Sequence, residues 1–180
     1  MGKMNHDYVI EKWWPSEWPP RNQYIIDNAF LATSERLKAN PQWMPSRATN
    51  DSVGFDVRYI APVENAGIVV YRHQSVRIDL GFKLDMPEEM GAELLIRSSL
   101  GYDHHLMLDN IEGLIDGDYN DNVKLSIYNY GNQPYPIQDG ERIAQIVFIP
   151  SAKGMAKLFG WGLKPVTTER QGGFGSTGNK

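Results

Sequence analysis

Hydrophobic and polar residues alternate in short runs along most of the chain from about residue 49 onward. A period of two is typical of half-buried β-strands, and turns rich in Gly, Pro and Asp separate the runs. The turns recur at spacings of roughly 8–12 residues, which favours a sandwich or barrel. The predicted strands are Phe55–Tyr59, Ile68–Tyr71, Val76–Leu84, Glu93–Arg97, Leu106–Asp109, Val123–Tyr130, Tyr135–Ile137 and Ile143–Ile149. We therefore predict an all-β fold for this part of the chain.

The first 45 residues follow a different pattern. The segment Trp13–Pro20 combines three tryptophans with three prolines, so it cannot form a long helix. The apolar residues between Asn22 and Lys38 roughly suit one face of a helix, which Pro41 ends. Because three exposed tryptophans would be costly, we expect this segment to dock on the main body, a neighbouring subunit or a protein partner. A disordered tail is the alternative.

The last residues of the chain, Gly172–Gly178, have almost no propensity for helix or strand. Glycine amides approach a ligand closely and form anion nests, and Phe174 offers a ring for stacking. Ser176 and Thr177 add hydroxyl groups for phosphates. We therefore divide the chain into an N-terminal extension (1–45), a β-domain (46–165) and a flexible glycine-rich C-terminal lid (166–180).

Composition narrows the classes of function. The chain has 180 residues, of which 41% are hydrophobic and 22% charged, as in ordinary globular proteins. The absence of cysteine excludes disulfides, thiolate zinc sites and thiol catalysis. A net charge of −4 argues against nucleic-acid binding by bulk electrostatics. There is neither a membrane-length apolar run nor the apolar core of a signal peptide, so we expect a cytoplasmic protein that binds no membrane.

The most informative segment runs from Asn110 to Tyr119. Its apolar Gly-Leu-Ile run leads into Asp116 and Asp118, and turn residues then precede the predicted strand Val123–Tyr130. This order predicts a β-hairpin with two carboxylates and an aromatic residue at its tip. Crowded carboxylates repel each other, so they indicate a metal ligand or a general base. A solvated acidic turn is the alternative.

Two weaker signals point to an anionic ligand. The segment Arg97–Gly101 reads Arg-Ser-Ser-Leu-Gly and follows a predicted strand. Serines begin helices well, and helix N-termini bind anions, so this segment is either a phosphate site or a capped short helix with a surface arginine. Gln145 interrupts an apolar strand and must face solvent or be buried with polar partners.

Five segments taken together resemble a known family. In chain order they are Gly54–Val57, Arg97–Gly101, Asn110–Tyr119, Gly140–Gln145 and Gly172–Gly178. They resemble the five motifs of the trimeric dUTP diphosphatases (dUTPases), over residues 45–180. The resemblance implies a jelly-roll-like fold and a homotrimer with three shared sites. It also implies Mg²⁺-dependent hydrolysis of dUTP to dUMP and pyrophosphate.

The resemblance also implies residue roles. Asp116 resembles the base that activates the attacking water, and Tyr119 resembles the residue under the deoxyribose, where a 2′-hydroxyl would clash. Asn110 and the backbone near Gly113 resemble the uracil-binding groups. The other implied contacts are Arg97, Ser98, Ser99 and Gln145 to phosphates, Phe174 over uracil, Arg170, Ser176 and Thr177 to the γ-phosphate, and Asp56 to the metal through water.

Two other functions compete with this interpretation. A dCTP deaminase shares the fold and the Arg-Ser-Ser-Leu motif, but such enzymes carry a glutamate where this chain has Ser126, before Tyr128 and Asn129. The second alternative is a regulatory protein that binds the nucleotide without hydrolysing it. The intact Asp116 argues against a site that has lost catalysis.

Overall fold

The computed structural model describes residues 29–166, and most of the regular structure in this range is β. The strands are β1 (Phe30–Ala32), β2 (Phe55–Arg58), β3 (Ile68–Val70), β4 (Ser75–Asp79), β5 (Phe82–Leu84), β6 (Met90–Ile96), β7 (Leu106–Leu108), β8 (Gly113–Ile115), β9 (Lys124–Asn129), β10 (Tyr135–Ile137) and β11 (Arg142–Pro150). Three α-helices, α1 (Glu35–Ala39), α2 (Ser98–His104) and α3 (Ala152–Phe159), and a 3₁₀ turn at Pro41–Trp43 complete it. None of the helices in residues 29–166 could cross a membrane. The predicted all-β class is confirmed.

The strands form four antiparallel sheets. The largest has the order β2-β11-β6-β8, and the second has the order β4-β9-β7. Two-stranded sheets join β1 to β5 and β10 to β3. Neighbouring strands in the sheets are mostly distant in sequence. For example, the long strand β11 lies between β2 and β6.

The core is built by the alternation that the sequence displays. On β2, Phe55 and Val57 are buried, whereas Asp56 and Arg58 point to the opposite, partly exposed face. Phe55 packs against Phe30 and Phe148, with ring centroids 5.1 Å and 5.7 Å apart. The strand β2 therefore has one apolar face in the core and one polar, partly exposed face.

The helix predicted between Asn22 and Lys38 is wrong at its centre. Phe30–Ala32 form a strand that pairs with β5, and the helix begins only at Glu35, where the Ser34 side chain accepts a hydrogen bond from the Leu37 amide. Burial of Phe30 in the aromatic core favours the strand over local helix propensity. Residues 22–28 of that prediction lie outside the described range, as do Trp13, Trp14 and Trp18.

Two further predictions need correction. The single strand Val76–Leu84 is two strands, because Gly81 has a positive φ of 74°. The predicted hairpin at Asp116 is also absent from residues 113–130: β8 pairs with β6, whereas β9 pairs with β4 and β7. The backbone of Val123 is hydrogen-bonded to Leu80 and Phe82, which holds the start of β9 against a different sheet. The carboxylates therefore lie on a connection between sheets.

Candidate active site

Two polar side chains lie side by side on the largest sheet. Asp56 on β2 and Gln145 on β11 are register partners, and Leu95 on β6 is the next residue across the sheet. Arg58 follows Asp56 two residues later on β2, and Arg97 lies just after the end of β6. Because the side-chain period of a strand is two, Arg58 shares the face of Asp56, and the contact of Arg97 with Asp56 places Arg97 there as well. Pairing of three strands that are far apart in sequence thus gathers three of the predicted motifs.

Asp56 lies at the centre of a cationic cluster, defined here as Asp56, Arg58, Arg97 and Arg142. Its Oδ1 lies 3.3 Å from Nε of Arg97, and its Oδ2 accepts a hydrogen bond from Nη1 of Arg142 at 2.9 Å. Burial lowers the pKa of Arg58, repulsion from Arg142 and Arg97 lowers it further, and Asp56 opposes both. One carboxylate thus faces three guanidinium groups, an excess of positive charge that suits a polyanion.

Ser98 and Ser99 adjoin this cluster. They begin α2 and are exposed, and Arg97 occupies the N-cap position without a side-chain capping bond. Nη1 of Arg97 instead donates to the carbonyl of Arg142 at 3.2 Å. The predicted helix after the strand is confirmed, and it presents two hydroxyl groups beside the guanidinium groups.

Gln145 is half-buried beside Gly54 of the first motif. A Cβ added at Gly54 would lie 3.3 Å from Oε1 of Gln145 and 3.1 Å from the carbonyl oxygen of Ile146. A larger residue at Gly54 would therefore press on the amide side chain. The glycine leaves Gln145 in the same polar face as Asp56.

The acidic turn, defined here as residues 116–122, follows β8. Asp116 is exposed, and its carbonyl accepts a hydrogen bond from the amide of Tyr119 at 3.1 Å. Gly117 packs so closely on the start of β6 that an added Cβ would lie 2.7 Å from the carbonyl oxygen of Met90. Tyr119 is half-buried against the core, and its hydroxyl donates to the carbonyl of Asn122 at 2.9 Å. The turn thus exposes a carboxylate next to a fixed aromatic ring.

The residues predicted to bind uracil lie just before this turn. Asn110 is exposed in the connection between β7 and β8, and the next residue, Ile111, has a positive φ of 64°. Gly113 is the first residue of β8 and pairs with Leu94, whose Cβ would lie 3.1 Å from an added Cβ. A side chain at Gly113 would thus push β8 away from β6.

Within one chain the two halves of the candidate site lie apart. Because Ile115 pairs with Ala92 in the antiparallel β6-β8 ladder, Asp116 lies beside Gly91. Arg97, just after the end of β6, is six residues beyond Gly91, which is about 20 Å at the rise of an extended strand. The structure brings Asp56, Arg97, Ser98, Ser99 and Gln145 together, and Asp116 and Tyr119 lie together in the acidic turn. Gly113 pairs with Leu94, between these two groups, and Asn110 lies in the connection before it. Arg170, Phe174, Ser176 and Thr177 lie outside the described residues.

A metal ion would find few direct ligands here. Residues 29–166 contain no group of three or more His, Asp or Glu side chains that could hold one. Both oxygens of Asp56 contact arginines, although a carboxylate oxygen can accept a further bond from water. Mg²⁺ prefers phosphate oxygens and waters, so contact with Asp56 through water fits these residues.

Sequence reasoning missed two members of the cationic cluster. Arg58 and Arg142 were not among the predicted site residues, although each stands within or beside a predicted motif. The position of Arg58 two residues after Asp56 on a strand was a usable signal. The contact of Arg142 with Asp56 depends on the β2-β11 pairing, which local sequence does not show.

Comparison with known proteins agrees with this arrangement. The family model described as dUTPase matches residues 40–178. The deoxyuridine 5′-triphosphate nucleotidohydrolase of Shewanella amazonensis is 33% identical over 138 residues, which are 76% of this chain and 88% of that protein. The enzyme of the same name from Photorhabdus laumondii is 37% identical over 139 residues, with the same coverage.

Solved structures show the same likeness. A dUTPase from Streptococcus mutans superposes with a TM-score of 0.59 at 26% identity, over 68% of this chain and 94% of that one. A mutant dUTPase from phage phi11 of S. aureus, described for its coordination of a structural Mg(II) ion, has a TM-score of 0.57 at 20% identity. The superposition covers 81% of this chain and 97% of the phage chain, and at this identity it supports only a shared fold. The fold is thus jelly-roll-like, as the sequence predicted, and this chain belongs to the dUTPase family.

Proposed function

We propose that this chain hydrolyses dUTP to dUMP and pyrophosphate, at sites formed between the chains of a homotrimer. The observation that carries the proposal is the separation of about 20 Å between Asp116 and Arg97 along β6. A general base must lie within hydrogen-bond reach of the water that it activates. This separation supports a site in which a second chain supplies one of the two halves.

Asp116 is the proposed base. Its carboxylate is exposed at the end of β8 and takes the proton of the water that attacks phosphorus. The ring of Tyr119 lies under the deoxyribose and leaves no room for a 2′-hydroxyl. Asn110 and the backbone at Gly113 bind the uracil edge, and a base with the opposite hydrogen-bonding polarity would leave buried groups unpaired, at about 1–3 kcal/mol each.

The cationic cluster binds the triphosphate in this proposal. Arg97, Ser98, Ser99 and Gln145 contact the phosphates, and Asp56 fixes the guanidinium groups of Arg97 and Arg142. Phosphoryl transfer depends on positioning and charge neutralisation more than on covalent chemistry, which a set of fixed cations provides. Mg²⁺, when bound, would neutralise phosphate charge, and Asp56 would hold it through water.

The two ends of the chain complete the proposal. The segment 166–180 acts as a lid in which Phe174 covers uracil and Arg170, Ser176 and Thr177 contact the γ-phosphate. The extension, residues 1–45, docks on the assembly or on a protein partner through its tryptophans. Its described part already packs on the β-domain, since Leu37 is buried and Arg36 pairs with Asp139 at 2.9 Å.

Release of pyrophosphate from a panel of dUTP, dCTP and UTP with Mg²⁺ tests this function. We expect turnover of dUTP and little of the other two. Asp116→Asn should fold and lose about 10²–10⁴-fold in kcat, because the base is removed. Asp121→Asn is the matched control, since Asp121 is an exposed carboxylate of the same turn. Comparable turnover of dCTP, or equal activity of the two variants, would contradict the proposal.

A further inference from the structure

A closed ring of hydrogen bonds ties the acidic turn to the N-terminal segment. Oγ1 of Thr33, just after β1, donates to Oδ1 of Asn122 at 2.9 Å. Nδ2 of Asn122 donates to both carboxylate oxygens of Asp79, at 3.0 and 3.1 Å. Asp79 also accepts from the amide of Gly81, and the carbonyl of Gly81 accepts from the amide of Thr33, both at 2.8 Å. Two segments of the chain, at Thr33 and at 79–81, thus fix the side-chain amide of Asn122.

The ring of hydrogen bonds depends on a backbone conformation at position 81 that only glycine adopts without strain. Gly81 has a φ of 74°, and an added Cβ would lie 2.6 Å from Oγ of Ser34. The amide of Ser34 also donates to the carbonyl of Gly81, at 3.0 Å. The close approach of residues 33 and 34 to the β4-β5 connection is thus built into the backbone. This places Thr33 against the acidic turn.

The same asparagine holds the proposed sugar-binding ring. The carbonyl of Asn122 accepts the hydrogen bond from the hydroxyl of Tyr119 at 2.9 Å. The Asn122 side chain is fixed from two sides, by Thr33 and Asp79, so its backbone carbonyl is fixed as well. A shift of Asn122 would move the acceptor that orients the ring of Tyr119. Only two residues separate Tyr119 from the catalytic carboxylate of Asp116.

We propose that Asn122, held by Thr33 and Asp79, is a positioning residue that sets discrimination between deoxyribose and ribose through the hydroxyl of Tyr119. The proposal rests on the proposed role of Tyr119 under the sugar. It assigns to Thr33, a residue of the N-terminal extension (1–45), a part in substrate selection. In this role Asn122 touches neither substrate nor water, and it acts only through the aromatic ring of Tyr119.

The test measures selectivity, defined as the ratio of kcat/KM for dUTP to kcat/KM for UTP. Asn122→Ala removes the tethered side chain, and Thr33→Val removes one donor while it keeps size and branching. Each should lower selectivity by about 2- to 10-fold, the equivalent of one hydrogen bond, mainly through better use of UTP. Thr33→Ser retains the hydroxyl and should stay near the unmodified protein. Thr33→Val serves if Asn122→Ala does not fold.

Two controls separate positioning from general stability. Leu37→Val in the same N-terminal segment loses buried apolar volume and should lower the melting temperature while it leaves selectivity unchanged. In a Tyr119→Phe background, Asn122→Ala should have no further effect on selectivity, because the hydroxyl that it orients is gone. An effect of equal size in that background would overturn the proposal.

The unmodified protein separates the two possible failures. If it hydrolyses UTP as well as dUTP, the proposed role of Tyr119 fails and this inference with it. If it discriminates and both Asn122→Ala and Thr33→Val discriminate equally well, the inference alone is overturned. Reduced selectivity in both variants, with Thr33→Ser unchanged, supports it.

Discussion

The cationic cluster and the acidic turn are held in place by different means. The residues of the cationic cluster lie on or beside three neighbouring strands, so backbone register places Asp56 against Arg97 and Arg142. The acidic turn lies on a connection between two sheets, where no ladder fixes it. Side-chain hydrogen bonds to Asn122 and the close packing of Gly117 hold it instead.

This difference predicts how each half responds to substitution. A strand-borne cluster keeps its backbone when one side chain is lost, so the defect is confined to binding of the charged ligand. A turn that depends on a few hydrogen bonds moves when one of them is lost, so the defect reaches its neighbours in the turn. Ground-state binding should therefore report on the cationic half, and turnover or selectivity on the acidic half.

The largest expected effect on substrate binding is on the cationic half. Arg97→Ala should raise KM for dUTP by about 10- to 100-fold, the equivalent of one charge-assisted hydrogen bond, with a smaller change in kcat. Arg97→Lys is the matched control, and it should recover only part of the loss because it keeps the charge without the fork of donors. Steady-state kinetics of both variants checks this. A fall in kcat at unchanged KM would remove the distinction between the halves.

The same difference between strand register and long-range hydrogen bonds explains which parts of each half the sequence predicted. Alternation along single strands predicted most of the sheet, and family motifs identified Asp56, Arg97 and Asp116 as candidates. The strand β1 was missed because pairing with β5 and burial of Phe30 override its local helical pattern. The predicted hairpin was wrong because Val123 bonds to Leu80 and Phe82, a contact between remote segments.

The residues that sequence analysis missed share one property. Thr33 and Asn122 are 89 positions apart, and Arg142 and Asp56 are 86 apart, yet each pair forms a direct hydrogen bond. Nothing in the local sequence around Thr33 indicates a polar partner. Such contacts depend on the topology of the fold, and they determine how the turn is held. The carboxylate of Asp116, by contrast, could be identified from the sequence alone.

A smaller effect is expected on the response to acid. Asp139, beside the Gly140 turn that leads into Arg142, is clamped by Arg36 and by the amides of Ala61 and Asn65. Burial acts to raise the pKa of Asp139, but these hydrogen bonds outweigh it and the pKa lies below its usual value. The clamp therefore stabilises the fold above the ordinary aspartate pKa, and this stability is lost as pH falls through the lowered value.

Melting temperature as a function of pH checks the clamp. Asp139→Asn should be less stable near neutral pH and should show a flatter loss of stability below about pH 4, the ordinary aspartate range. Glu35→Gln is the control, because the exposed pair of Glu35 with Lys38 contributes little. Parallel acid curves for the unmodified protein and Asp139→Asn would show that this clamp does not set the loss of stability in acid.

Mixing two inactive variants tests the central claim most directly, namely that one site combines the acidic turn of one chain with the cationic cluster of another. Asp116→Asn chains and Arg97→Ala chains, each of low activity alone at low dUTP, are unfolded together at equal ratio, refolded and assayed at low dUTP. In random mixed assemblies about one quarter of the shared sites receive an intact Asp116 and an intact Arg97 from different chains. The account predicts recovery of about that fraction of activity. A mixture no more active than the average of the two separate variants would place both halves of the site in a single chain and contradict it.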